Sequence, residues 1–308
     1  MVEVLGGIVI LLAVLALLVG AMNYLTPLPT ARLLLKMARR RAGLTEESVE
    51  IDGLILPYLT GGHGEPLVLL HGFTANKDIF AAVAQHLTPH YTVYIPDIPG
   101  FGEATRDANL DYGIDAQARR IWDFTQALGL KEFHLGGNSL GCWFAAVLSR
   151  DHPDAVKSLW MIDAFGTKEG LDSARRAREI GVTGLLVRSA EDNAKKWGLI
   201  TAGKKKLPYC LNYAMGFVGA RDFEFHKEMW ESLGRDLPIE ACCGPLDIPT
   251  FIVYGAQDRV SPPASAKTLS IVFPRNKVDV MEGVGHIPMV EEPRRTVTNY
   301  LAFRAALS

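Results

Sequence analysis

The chain has 308 residues, of which 48% are hydrophobic, enough to form the core of one large domain. Its formal net charge of −2 excludes a generally basic nucleic-acid-binding protein. The four cysteines show neither a C-x-x-C pattern nor the spacing of metal ligands, so they indicate no metal site and no particular redox compartment.

The first feature along the chain is an uncharged, apolar stretch at residues 4–22. A helix of this length spans about 28 Å, close to the ~30 Å hydrocarbon core of a bilayer. A cleaved signal peptide is the alternative, but the basic amino-terminal region typical of such peptides is absent from Met1-Val2-Glu3. The stretch therefore predicts a retained transmembrane helix.

A basic segment with apolar residues between its charges follows at residues 30–43. It predicts an amphipathic juxtamembrane helix at the lipid headgroups, and a helix packed on the soluble domain is the alternative. Basic residues on this side favour a cytoplasmic domain, but a large domain behind a single anchor can also be exported, so the side stays open. Residues 1–47 are interpreted as a transmembrane and juxtamembrane helix.

Short apolar strands alternate with helices in the rest of the chain, which indicates an α/β fold with a mainly parallel sheet covered on both faces. Strands are predicted at 49–52, 54–59, 66–70, 92–95, 133–135, 158–162, 250–254 and 277–281, and helices at 79–87, 114–128 and 296–307. Residues 167–245 contain no clear strand and predict a helical cap, called the cap segment below. The core would then comprise residues 48–166 and 246–308.

A G-x-S-x-G pentapeptide is centred on Ser139, within the sequence FHLGGNSLGCW at residues 133–143. An apolar run precedes it and a helix-forming run follows it. Strand, sharp turn and helix are the context of a nucleophile elbow, which exposes a serine hydroxyl at the carboxyl end of a strand. Ser139 is therefore the predicted nucleophile.

A serine hydroxyl needs a base, and the base needs a carboxylate to orient it. Asp258 follows the predicted strand at 250–254, and His286 lies in a glycine-rich loop after the last predicted strand. Both loops leave the sheet at the edge where Ser139 lies, and the chain order serine, acid, histidine is the one expected with this elbow. Asp163, which also follows a strand, is the rival acid.

A tetrahedral intermediate needs two N–H donors directed at its oxyanion. The backbone of Leu140, directly after the serine, supplies one, and Phe73 in the turn after the strand at 66–70 is the candidate for the second. His71 and Gly72 shape that turn. Neither a cofactor nor a metal is expected, because these groups complete a site for acyl transfer by themselves.

Five segments together resemble the α/β-hydrolase superfamily: HGF at 71–73, PDIPGFG at 96–102, GNSLG at 137–141, GAQDRV at 255–260 and GVGH at 283–286. With the apolar segment at 4–22, the chain resembles the membrane-anchored monoacylglycerol-lipase-like branch, which includes bacterial inner-membrane phospholipases A. The resemblance implies an ester hydrolase that releases fatty acids from acyl lipids through an acyl tunnel formed by the cap segment.

The same resemblance implies a single-pass protein of a bacterial inner membrane and a homodimer through the amino-terminal helices. In bacterial relatives the catalytic domain can face the periplasm, which conflicts with the cytoplasmic side that the basic residues favour.

Other functions fit part of this pattern. An esterase of soluble substrates or a carbon–carbon-bond hydrolase would keep the triad, although such enzymes have little need of a membrane anchor. A member that binds a ligand without turnover is the remaining alternative, and the complete triad and oxyanion turn argue against it. Ser139 argues against dehalogenases and epoxide hydrolases of this fold, because their nucleophile is an aspartate.

Overall fold

The computed structural model describes residues 2–179, 184–203, 205–233 and 236–307. The side chains at 2, 3, 6, 10, 11, 15, 16, 18, 19, 177 and 178 are also outside the description. Parts of the predicted transmembrane segment and of the predicted cap segment, including residues 180–183, therefore lie outside the described residues.

The described residues form one eight-stranded sheet. Its strands are β1 (Thr45–Ile51), β2 (Leu54–Gly62), β3 (Glu65–Leu70), β4 (Tyr91–Pro96), β5 (Phe133–Asn138), β6 (Val156–Ile162), β7 (Thr250–Gly255) and β8 (Asn276–Met281). They are ordered β1-β2-β4-β3-β5-β6-β7-β8. β2 pairs antiparallel with β1 and with β4, and every other pair is parallel. This confirms the predicted α/β fold with a mainly parallel sheet.

Helices cover both faces of the sheet. They are α1 (Val2–Leu25), α2 (Pro27–Arg41), α3 (Ala81–Leu87), α4 (Ile114–Ala127), α5 (Leu140–Asp151), α6 (Lys168–Glu179), α7 (Ala190–Ile200), α8 (Tyr209–Arg221), α9 (Phe223–Ser232), α10 (Ile239–Cys242), α11 (Ser265–Val272), α12 (Pro288–Glu291) and α13 (Pro293–Ala305). Helices α6 to α10 all lie between β6 and β7, within the cap segment. The division of the chain into core and cap domains stays a prediction.

Two apolar layers enclose the sheet, and β3 contributes to both. Val68 and Leu70 belong to a buried cluster with α4 and α5, whereas Leu67 and Leu69 belong to a second cluster with α3 and α13. Successive side chains of a strand point to opposite faces, so a strand buried on both faces reads as an unbroken apolar run. Because β3 is packed on both faces, its carboxyl end holds the start of the following loop in a fixed position.

Helix α1 covers the whole stretch that was predicted to span a membrane. No helix in the described part of the chain meets the length and apolarity that a membrane crossing requires. The transmembrane assignment of residues 4–22 is therefore not confirmed and stays a prediction.

Helix α2 is fastened to the core by Arg39. Its Nε and Nη2 donate to the two carboxylate oxygens of Asp78 at 2.6 and 2.7 Å, and its Nη1 donates to Glu46 at 2.6 Å. Lys36 and Arg40 on the same helix are exposed. Helix α2 thus contacts the soluble domain through Arg39, and its location at lipid headgroups stays a prediction.

Candidate active site

The predicted elbow has the expected strand–turn–helix geometry. β5 ends at Asn138 and α5 begins at Leu140, so Ser139 alone makes the turn. Its backbone has φ 55° and ψ −118°, a conformation that costs about 1–3 kcal/mol in residues other than glycine. The turn is tight, because a Cβ on Gly137 would lie 2.5 Å from the carbonyl of Gly141.

The predicted base and acid are in direct contact. Nδ1 of His286 lies 2.8 Å from Oδ2 of Asp258. The other oxygen, Oδ1, accepts the N–H groups of Val260 at 2.7 Å and Ser261 at 3.0 Å. The loop backbone thus fixes the carboxylate, and the carboxylate fixes the imidazole with its proton on Nδ1. Nε2 is then the nitrogen that can accept a proton.

Asn138 ties the elbow to the histidine loop. Its Nδ2 donates to the carbonyl oxygen of His286 at 3.1 Å and to that of Ile162 at 3.2 Å. Glu291 supports the same loop from the other side, because its carboxylate accepts the Gly285 N–H at 2.7 Å. Neither residue was predicted, since nothing in the sequence pattern distinguishes them from neighbouring polar residues.

The rival acid, Asp163, is fully buried beside the pair. Its Oδ1 accepts the Gly255 N–H at 2.8 Å. Burial raises the pKa of its carboxyl well above the usual value, and the nearby Asp258 carboxylate raises this pKa further. The neutral form of Asp163 is therefore favoured by its surroundings, and it is Asp258 that contacts the histidine.

Asp163, Asp258 and His286 each offer one ligand atom within 4.8 Å of the other two, which is also close enough to hold a metal ion. Metal ligands have to be deprotonated, however, and a carboxyl with a strongly raised pKa is a poor one. The existing hydrogen bond between histidine and aspartate also occupies two of the three ligand atoms. The donor set fits proton transfer better than metal binding.

The predicted oxyanion turn lies directly against the nucleophile. A Cβ added to Gly72 would lie 3.0 Å from the Cβ of Ser139. His71 is fully buried, and its Nε2 accepts the Ile98 N–H at 3.1 Å, so its Nδ1 carries the proton and donates to the Gly72 carbonyl at 2.9 Å. Burial lowers the pKa of this imidazole, in agreement with a neutral, structural histidine. The turn carrying Phe73 is thereby held over the elbow.

Comparison with known proteins places the chain in a family. The sequence profile of the alpha/beta hydrolase fold family matches residues 65–293. The chain belongs to the α/β-hydrolase family. It is 31% identical to Lipase 1 of Psychrobacter immobilis over 90% of both chains, and 26% identical to human monoacylglycerol lipase ABHD6 over 80% of this chain and 77% of that one.

Among solved structures, this α/β-hydrolase is similar to a bacterial membrane phospholipase A described as a virulence factor. The TM-score is 0.87 at 34% identity, with 99% of both chains covered. A putative lipase of Acinetobacter baumannii gives a TM-score of 0.84 at 25% identity over 90% of this chain and 96% of that one.

The cap segment of this α/β-hydrolase covers the oxyanion turn with aromatic side chains. The Phe73 ring centroid lies 5.1 Å from that of Trp230 and 5.8 Å from that of His226, both on α9. Two cavities of about 510 and 380 Å³ open here, and Trp230 and Glu231 line both of them. Apolar walls of the larger cavity come from Leu186, Leu199, Phe223 and Trp230. Cavities of this size hold ligands of an acyl chain's dimensions.

Proposed function

We propose that the protein is a serine carboxylester hydrolase that releases fatty acids from acyl lipids at a membrane surface. The observation that carries the proposal is the 2.8 Å contact between His286 and Asp258, on a loop tied by Asn138 to the elbow of Ser139. Its relatives include proteins named as lipases, a monoacylglycerol lipase and a phospholipase A.

In the proposed reaction, Ser139 attacks the ester carbonyl while His286 takes its proton. Asp258 holds the imidazole and stabilises the imidazolium that forms. The backbone N–H groups of Phe73 and Leu140 stabilise the tetrahedral oxyanion. His286 then protonates the leaving alcohol, and water, activated by the same imidazole, hydrolyses the acyl-enzyme to release the fatty acid. No cofactor takes part.

The acyl chain of the substrate is proposed to occupy the cavities beside Trp230. Their apolar walls stand next to the oxyanion turn, so an acyl carbonyl at Ser139 would have its chain within reach of them. An apolar chain gains about 0.8 kcal/mol for each buried CH₂, which favours acyl lipids over small soluble esters.

The membrane surface is proposed to contact α1, α2 and α8. The ring centroid of Tyr24 on α1 lies 4.9 Å from that of Tyr209 on α8. The Tyr209 centroid in turn lies 5.9 Å from that of Tyr213. Phe217, one turn further along α8, is 54% exposed. Aromatic side chains next to an apolar helix are typical of a membrane–water interface. We propose single-pass attachment to a bacterial inner membrane and a homodimer through the amino-terminal helices.

The decisive experiment compares Ser139→Ala with the wild type on phospholipids, lysophospholipids, monoacylglycerols and p-nitrophenyl acyl esters. The expected result is release of fatty acid by the wild type, detected by mass spectrometry, and a loss on the order of 10³-fold or more in the variant. Ser270→Ala, on α11, is the matched control and should retain full activity. Equal activity of Ser139→Ala and wild type would refute the nucleophile.

Membrane contact is tested separately with Phe217→Trp in vesicles that contain brominated phospholipid. Quenching of the new tryptophan's fluorescence above the wild-type background is expected, and no additional quenching would contradict contact through α8. Protease protection in intact cells assigns the membrane face, and cross-linking of the full chain in membranes tests the dimer.

A further inference from the structure

Helix α7 of the cap segment contacts two loops of the site. The carbonyl oxygen of Ile200, at its end, accepts the His286 N–H at 2.8 Å. From its middle, Lys196 Nζ donates to Oγ1 of Thr74 at 2.7 Å and to the Thr74 carbonyl oxygen at 3.1 Å. Thr74 directly follows Phe73, so a cap helix holds the residue next to the proposed oxyanion donor.

The backbone of Thr74 is strained. The turn is closed by the Ala75 N–H donating to the Gly72 carbonyl at 3.2 Å, and Thr74 adopts φ 52°. Positive φ at this turn position favours glycine, and a β-branched residue there is an outlier that surrounding contacts have to hold in place. Lys196 therefore contacts the strained residue through both its side-chain oxygen and its backbone oxygen.

A contribution to protein stability does not explain why residue 196 is a lysine. Its side chain is buried, and no carboxylate in the described part of the chain forms an ion pair with it. Burial lowers the pKa of its ammonium to about 8. A buried ammonium without a counterion is unfavourable for folding, because its lost hydration is only partly replaced by two hydrogen bonds. A lysine at this position thus costs stability, and within the described residues its ammonium donates hydrogen bonds to Thr74.

We propose that Lys196 is a positioning residue of the active site, whose contact with Thr74 holds the turn that directs the Phe73 N–H at the oxyanion. Lys196 does not touch the reacting atoms. It makes the oxyanion hole depend on the cap segment, because the donor is on the core and the residue that holds its turn is on α7. The inference rests on the proposed ester hydrolysis.

The test is a double-mutant cycle of Lys196→Met and Thr74→Gly, with activity measured on p-nitrophenyl acyl esters. Lys196→Met should lower kcat about 10- to 100-fold with KM within about 2-fold, since a misdirected donor weakens the transition state more than the ground state. In the Thr74→Gly background the turn needs no support, so Lys196→Met should lower kcat less than about 3-fold. Lys206→Met, at an exposed position in the loop after the same helix and outside both cavities, is the control and should match the wild type.

Two further readouts separate positioning from a structural role. The melting temperature of Lys196→Met should equal or exceed that of the wild type, because a buried charge has been removed. A trifluoromethyl ketone, which forms a tetrahedral oxyanion on a reactive serine, should bind the variant more weakly by about the same factor as kcat falls. Wild-type activity in Lys196→Met, or an equal loss of kcat in both backgrounds, would overturn the inference. An inactive wild type would instead overturn the proposed function.

Discussion

Two carboxyl groups meet at the end of neighbouring strands, and their surroundings differ. Asp258 accepts the Val260 and Ser261 N–H groups at Oδ1 and contacts His286 through Oδ2. Asp163 is enclosed and accepts the Gly255 N–H, and burial raises the pKa of its carboxyl well above the usual value. Environment, and not residue type, therefore favours Asp258 as the proposed acid.

Substituting each acid by its amide should separate these roles. Asp258→Asn cannot hold the imidazole in the required tautomer, and kcat should fall on the order of 10⁴-fold. Asp163→Asn leaves the contact between Asp258 and His286 in place, and its amide oxygen can still accept the Gly255 N–H, so its kcat should stay within about 5-fold of the wild type by the same reasoning. Steady-state kinetics on one ester substrate measures both. A larger loss in Asp163→Asn than in Asp258→Asn would reverse the assignment.

Asp163 should also give a specific pH dependence of stability. Because its folded-state pKa is raised, its stabilising contribution is complete below the usual value near 3.8 and is lost as the pH rises toward the folded-state pKa. Residue 163 does not titrate in Asp163→Asn. As the pH rises through this range, the free energy of unfolding of the variant minus that of the wild type should therefore increase by up to about 1.4 kcal/mol per pH unit. Denaturation at several pH values checks this, with the exposed Asp247→Asn as control. A difference that does not change with pH would contradict it.

At the scale of elements, the elbow depends on close approach between α5 and β3. A Cβ on Gly141 would lie 2.2 Å from the Leu70 carbonyl oxygen, a backbone atom that cannot move away by rotating a side chain. Gly141→Ala should therefore lower the free energy of unfolding by about 3 kcal/mol or more.

Gly198→Ala is the matched control for that substitution. Gly198 lies on an exposed part of α7, with nothing within 4 Å of an added Cβ. There alanine should stabilise the protein by roughly 0.5–1 kcal/mol, because glycine is unfavourable inside a helix. Chemical denaturation of both variants gives the comparison, and similar effects of the two substitutions would show that the elbow is looser than described.

Prediction from sequence is most direct where a local pattern has one structural solution. Apolar strands followed by glycine-rich turns predict Ser139, Asp258 and His286 at one sheet edge, because carboxyl ends of parallel strands meet there. The structure brings His286 and Asp258 into contact, and the triad as a whole stays a proposal. The supporting residues could not be found this way. Asn138 reaches a carbonyl 148 positions further along the chain, and Lys196 reaches a turn 122 positions before it. The first contact depends on how the elbow meets the histidine loop and the second on where the cap segment packs, and no local periodicity encodes either.

At the scale of the whole molecule, Arg39 joins the amino-terminal helices to the short 3₁₀ helix Lys77–Phe80, which follows the oxyanion turn. The pKa of its guanidinium is raised by its hydrogen bond with Asp78, whose side chain is 9% exposed. Arg39→Met leaves that carboxylate without its partner and should lower the free energy of unfolding by about 1–3 kcal/mol. Arg40→Met, next to it and exposed, should change the free energy by less than about 0.5 kcal/mol. Denaturation of the full chain in detergent distinguishes them, and equal values would mean that the pair does not hold α2.

The sheet order has a consequence for the newly made protein. From β5 onward, strands join one edge of the sheet in the order in which they are synthesised, each pairing with its predecessor. Synthesis proceeds from the amino terminus, so β3 and β5 leave the ribosome while the proposed acid and base are still being translated. The proposed nucleophile then lacks its proton acceptor until β8 and the histidine loop emerge. A chain interrupted between the elbow and the histidine loop should therefore carry Ser139 and be inactive.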